Sequence, residues 1–160
     1  MNKNKLSPYE EALIYAEDKD IYIIQAQQGS KIRAKALLLG EDMGVSINEA
    51  AFETEAERRL AFVHEVAHCE TGGFYDEHTP EPERGKIDYR AKRRTVERLV
   101  SFRLYTKTIL DGVLTEWEQA EIWNIPQQYV PVVHQVYEST HWEEVQKLKM
   151  HMLRGIGKPL

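Results

Sequence analysis

The run His64-Glu65-Val66-Ala67-His68 sets two imidazoles and a carboxylate at a spacing that suits metal-assisted hydrolysis. Histidines four residues apart share one face of a helix, where both reach a single Zn²⁺. A glutamate directly after the first stands beside the open coordination position, where it can take a proton from metal-bound water. Three fixed positions in five also recur by chance, so the setting carries weight. Around the motif Leu60, Ala61, Phe62, Val63, Val66, Ala67 and Cys69 are all apolar, and a helix apolar all round is buried. Three ionisable side chains inside such a helix are costly unless something pairs them, which a metal does. The competing reading is a pair of satisfied core histidines with a salt-bridged Glu65.

A catalytic zinc has three protein ligands and one open position. The pattern that adds a glycine and a third histidine after the motif needs Gly at 71 and His at 74. The chain has Thr71 and Phe74, which excludes that class. A carboxylate from a later helix is the other common arrangement, and Glu83, Asp88 and Glu97 are the acidic residues in or near the next helix. At about 100° per residue, Ala91, Thr95, Leu99 and Phe102 share the face of Asp88. Arg90, Arg93, Arg94, Glu97 and Ser101 occupy the opposite one. Asp88 is therefore a carboxylate within an apolar stripe, where an inward-facing ligand belongs. It also reads as an acidic residue favoured near a helix N-terminus by the macrodipole. His78, in a loop that could fold back, competes with it, and Asp76 and Glu77 follow.

These side chains need elements to hold them. Thr54 and Glu57 form a capping-box pair opening the motif helix, and Ser7-Pro8-Tyr9-Glu10 opens a helix to about Glu17. Residues 21–27 and 32–39 read as strands separated by a turn at Gln28-Gly29-Ser30. The cluster Gly40-Glu41-Asp42-Met43-Gly44 turns the chain into a short third strand at 45–48. Short connections predict antiparallel neighbours, hence a small meander sheet over the motif helix. A loop follows His68 and is prolonged by Pro82, and a helix is expected from about Gly85 to Thr108. Thr115-Glu116-Trp117-Glu118 caps a short helix to about Trp123. A longer helix runs from Pro126 towards Met152, with Pro131 ending or kinking its first turn. The end from Gly155 to Leu160 reads as frayed.

The fold class expected is α+β: a compact zincin-like core over residues 1–110 with a small antiparallel sheet, and a C-terminal helical hairpin and tail over 111–160. At 160 residues such a chain can bury a real core. It has no apolar run long enough to span a bilayer, and no apolar secretory core follows the charged start Met1-Asn2-Lys3-Asn4-Lys5, so a cytoplasmic location is expected. Cys69 is the single cysteine. It excludes an internal disulfide and a thiolate cluster, and reads as a small buried hydrophobe. The net charge of −5 argues neither for nor against a nucleic-acid partner.

In this order the residues resemble the ImmA/IrrE family of metallopeptidases, common on phages and other mobile elements. The likeness runs from Glu57-Arg58-Arg59-Leu60 through the His64–His68 motif, Thr71-Gly72-Gly73-Phe74-Tyr75 and Asp88-Tyr89-Arg90-Ala91 to Leu114-Thr115-Glu116-Trp117-Glu118-Gln119-Ala120-Glu121 and Ile125. It covers roughly residues 8 to 138. It implies a zincin core in which His64 and His68 are zinc ligands and Glu65 the general base. The family's third ligand, a glutamate, falls on Asp88, one methylene shorter. An acidic residue that often supports a ligand one turn further on is here Lys92, which cannot accept a hydrogen bond from a histidine. Tyr75 is a candidate donor to the oxyanion, or an aromatic that anchors its loop. The implied substrate is a protein, a repressor encoded nearby.

Two other readings compete. Lys92 and Asp88 favour a relative that kept the fold and a metal but lost turnover and acts by binding a partner protein. The basic residues Arg84, Lys86, Arg90, Arg93, Arg94, Arg98 and Arg103, with a helix-turn-helix-like stretch at 115–137, suggest DNA. The second helix of that stretch offers Gln127, Gln128, His134 and Gln135 but no Arg or Lys, so a packed hairpin with a solvated face is the better account.

Overall fold

The structure is a computed structural model that describes residues 5–27 and 29–156. Gln28 of the expected turn, the charged start at 1–4 and the tail at 157–160 lie outside the described residues. Gly155 and Ile156, expected to fray, belong to the last helix.

The fold is α+β, with seven α-helices and one three-stranded sheet among the described residues. Helix α1 (Pro8–Asp18) opens with a reciprocal capping box. Ser7 Oγ accepts from the Glu10 amide at 3.2 Å, and Glu10 Oε2 accepts from the Ser7 amide at 2.7 Å. Strands β1 (Ile21–Gln25), β2 (Ala34–Leu39) and β3 (Asp42–Ile47) form a sheet in the order β1-β3-β2. The expected all-antiparallel meander is corrected here. β2 and β3 are an antiparallel hairpin, whereas β1 pairs with β3 in parallel. The hairpin closes through Gly40-Glu41 alone, with Gly40 at φ +72°, the positive value a tight hairpin turn needs at its first central position. Residues 42–44, expected in the turn, are thereby freed to begin β3. β1 and β2 do run in opposite directions, as a short connection dictates. The segment 26–33 is nonetheless long enough to span the roughly 10 Å that a strand inserted between them requires.

Alternation places Ile21, Ile23, Ala34, Ala36, Met43, Val45 and Ile47 on one face. They pack with Tyr9, Ala16, Phe62, Val66 and Cys69 from the flanking helices and with Phe52 from the loop before the motif helix. Tyr9 meets Phe62 edge to face at 5.9 Å, a preferred aromatic geometry. Helix α2 (Glu55–Thr71), which carries the motif, starts at Thr54, whose hydroxyl accepts from the Glu57 amide at 3.1 Å.

Helix α3 (Glu81–Leu99) begins earlier than expected. Pro82 falls in its first turn, where a missing N–H costs nothing, rather than prolonging the loop. The continuous helix expected to Thr108 is broken at Ser101. Its hydroxyl accepts from the Leu104 amide at 3.1 Å and caps α4 (Phe102–Leu110), a role serine favours. The chain forms two compact units, Met1–Thr95 and Val96–Leu160, with the division inside α3.

In the second unit, α5 (Glu116–Trp123) is followed by a 3₁₀ turn at Gln127–Tyr129, then α6 (Val130–Thr140) and α7 (Trp142–Ile156). The single long helix expected from Pro126 is thus a turn and two helices. Pro131 sits in the first turn of α6, and α6 ends at His141. Tyr105, Trp123, Val130, Val133, Tyr137 and Val145 are buried. A polar chain runs through this core: His134 lies 3.0 Å from the Tyr105 hydroxyl and 2.8 Å from Gln119 Oε1, and Gln119 Nε2 donates to Val113 O at 2.9 Å. His134, one of the side chains a DNA-reading hairpin would need, is committed to this core. No helix among the described residues is long and apolar enough to cross a membrane.

Candidate active site

The motif helix ends in a Schellman turn, which begins the site. Gly72 is left-handed (φ +64°), the Gly72 amide donates to Cys69 O at 3.3 Å, and the Gly73 amide donates to His68 O at 2.9 Å. The Gly73 carbonyl then turns back onto the His68 ring, 2.7 Å from Nδ1. A carbonyl can only accept, so Nδ1 carries the proton and Nε2 of neutral His68 presents a bare lone pair.

The same logic fixes His64. Thr95 Oγ1 donates to Ala91 O at 2.7 Å, leaving its lone pairs to accept from His64 Nδ1, 3.3 Å away. His64 Nε2 is therefore also proton-free when the ring is neutral. Burial, reinforced by His68 and Lys92 and opposed by Asp88, lowers its pKa to about 4. The two Nε2 atoms stand 3.2 Å apart. Two nitrogens at about 2.0–2.1 Å from one tetrahedral zinc are separated by about 3.3 Å. The pair fits a shared cation, and without one the two lone pairs oppose each other.

Asp88 fits less closely. Its Oδ1 lies 4.0 Å from His68 Nε2, and its side chain is 48% exposed while that of His68 is 10% exposed. Among the described residues no three His, Cys, Asp or Glu side chains form a ready-made metal cage. The carboxylate faces the same cleft as the two histidines. Burial raises the Tyr75 pKa, and the neighbouring Asp88 carboxylate raises it further. The Tyr75 ring meets His68 edge to face at 6.3 Å.

Glu65 is half-buried and Oε2 accepts from the Ala36 amide at 2.8 Å. Burial raises its pKa, and the Ala36 bond and His68 counter part of that rise. Ala36 belongs to β2, the sheet edge on the side away from β1. Its amide points out of the sheet onto the site. His64, Glu65, His68, Tyr75 and Asp88 all line one cleft of about 530 Å³, together with Ala34, Lys35, Ala36, Gly73, Phe74 and Lys92.

The competing ligands are elsewhere. His78 is fully solvated beside Glu77, and its loop is organised by Asp76, whose carboxylate accepts from the His78 amide at 2.8 Å. Glu83 is exposed in the first turn of α3, and neither it nor Glu97 lines the cleft. Cys69 is buried, 3.7 Å from Gly44 O, and burial pushes its thiol up to about 11. Gly73 and Thr95 were not recognisable as site residues from sequence. Thr95 stood on the Asp88 face of the helical stripe, which was the one available signal.

No family model matches the chain, and no curated protein or solved structure matches it significantly.

Proposed function

We propose that the chain is a zinc-dependent metallo-endopeptidase of the ImmA/IrrE type, acting on a specific protein substrate. One observation carries this reading: two histidine Nε2 lone pairs converge at 3.2 Å while both Nδ1 atoms are held by acceptors. Ordinary core histidines pair each ring nitrogen with a donor or an acceptor rather than setting one bare lone pair against another. His64 and His68 would hold the zinc, with Asp88 as third ligand. A bound zinc supplies Lewis acidity towards a water and a substrate carbonyl.

The chain's own residues do the rest. Glu65, its basicity raised by burial, accepts the proton of the attacking water and passes it to the leaving amine. Tyr75, 44% exposed at the cleft, donates to the oxygen that becomes negative. The β2 edge beside Glu65 gives an extended peptide backbone groups to pair with, which favours a polypeptide over a small molecule. A phage or mobile-element repressor is the first substrate class to test.

A second reading, a metal-binding partner protein without turnover, is favoured by the 4.0 Å separation of Asp88 from His68. Zinc analysis of protein purified without chelator separates the cases. Wild type should hold near-stoichiometric zinc, and His64→Ala should lose it. Absence of zinc even after reconstitution overturns both metal readings. Zinc without cleavage of any candidate repressor, in wild type as in Glu65→Gln, selects the second.

A further inference from the structure

We infer that the cleft selects acidic residues beside the scissile bond, with Lys92 as the principal determinant and Lys35 assisting. This inference rests on the peptidase reading and names the substrate class for that site. Four charged side chains line the cleft: Lys35, Glu65, Asp88 and Lys92. Glu65 accepts from the Ala36 amide at 2.8 Å, and Asp88 is the third zinc ligand in the peptidase reading. The two lysines are exposed, and neither forms an ion pair with a described residue. Lys92 lies one turn beyond Asp88 on α3, where such a pair would be expected, and does not make it.

In a chain of net charge −5, each side of this cleft presents an exposed lysine without an ion pair, Lys92 on α3 and Lys35 on β2. A substrate backbone lying along β2 would pass between two ammonium groups. Aspartate or glutamate there gains two partners, and lysine or arginine meets like charge, which discriminates more strongly than attraction alone.

The test is equilibrium binding to the Glu65→Gln protein, which removes turnover. Short fluorescein-labelled peptides of alanine and leucine carry central glutamates, glutamines or lysines, and are titrated by anisotropy with and without zinc. The zinc-free arm removes direct ligation by glutamate. Each exposed pair contributes up to roughly fivefold, so the acidic peptide should bind roughly tenfold tighter than the neutral one in both arms. Adding Lys92→Glu should abolish or reverse that order. Equal binding of the peptides, no binding of the acidic one, or a preference unchanged by Lys92→Glu overturns the inference. Wild-type digestion of the same peptides keeps the two ideas apart. Cleavage without charge preference leaves the peptidase reading standing and removes this one. Charge-selective binding without cleavage of these short peptides supports the charge preference, and the peptidase reading is then decided by zinc content and repressor cleavage.

Discussion

Gly73 and His68 are bound to each other twice. The Gly73 amide donates to the His68 carbonyl at 2.9 Å, and the Gly73 carbonyl accepts from His68 Nδ1 at 2.7 Å. The residue that ends the motif helix is the one that sets the tautomer of its last histidine. Helix termination and ring orientation are one structural feature.

Replacing Gly73 should therefore damage more than the turn. A Cβ there would lie 2.9 Å from Ile87 Cγ2 and 3.4 Å from His68 Nδ1, and Ile87 is buried. Gly73→Ala should cost roughly 1–3 kcal/mol of stability through overpacking and lower zinc affinity about tenfold or more by turning His68. Gly72→Ala is the control. Its φ of +64° makes alanine strained, but nothing lies within 4 Å of the added carbon, so it should cost about 1 kcal/mol and spare zinc. Thermal melts and competition against a chromophoric chelator read both. Unchanged zinc affinity in Gly73→Ala would remove the orienting role.

Thr95 makes the equivalent contact to His64, 3.3 Å from Nδ1, from a fully buried position. Thr95→Val keeps the shape and loses the acceptor. Zinc affinity should fall about tenfold, and Thr95→Ser, which restores the hydroxyl, should recover most of it. If valine and serine bind zinc alike, His64 is not oriented through this hydroxyl.

Asp88 gives a prediction with an unusual sign. Its Oδ1 is 4.0 Å from His68 Nε2, against about 3.3 Å for two ligands of one tetrahedral ion. Asp88→Ala should weaken zinc binding. Asp88→Glu, with one more methylene, should match or exceed wild type. The same chelator competition decides, and a glutamate variant as weak as alanine would take Asp88 out of the ligand set.

Sequence spacing reached the parts of this site that side chains announce. His64, Glu65 and His68 followed from a five-residue pattern, and the apolar stripe of Ala91, Thr95 and Leu99 put Asp88 on the face of α3 that lines the cleft. The remaining parts had no such signal. The Gly73 carbonyl is backbone, and every residue has one, so only the helix-ending geometry singles it out. Thr95 looks like any buried threonine until its hydroxyl is found shared between Ala91 and His64. The order β1-β3-β2 depends on the path of residues 26–33, whereas strand patterning fixes only which faces are apolar. The break at Ser101 was missed because the apolar stripe continues in phase to Phe102, and periodicity does not register a cap that interrupts the backbone.

The C-terminal unit should lose stability in mild acid, and His134 is the cause to test. The Gln119 amide oxygen can only accept, so His134 Nε2 carries the proton and Nδ1 accepts from the Tyr105 hydroxyl, a neutral imidazole with both nitrogens used. Burial lowers the His134 pKa below its ordinary 6.5, with Lys149 acting in the same direction and Glu138 and Glu116 opposing. The unfolded chain then takes up the proton first as pH falls. The stabilisation is complete above 6.5 and is lost progressively below it, as pH drops through the depressed folded-state value. His64, also held low, titrates in the same direction, so wild type alone cannot isolate the effect. His134→Gln can, because glutamine donates and accepts without titrating, and the His64 contribution is common to both proteins. The melting-temperature advantage of wild type over His134→Gln should shrink between neutral pH and about pH 5. An advantage constant across that range would mean that His134 is not the group being protonated.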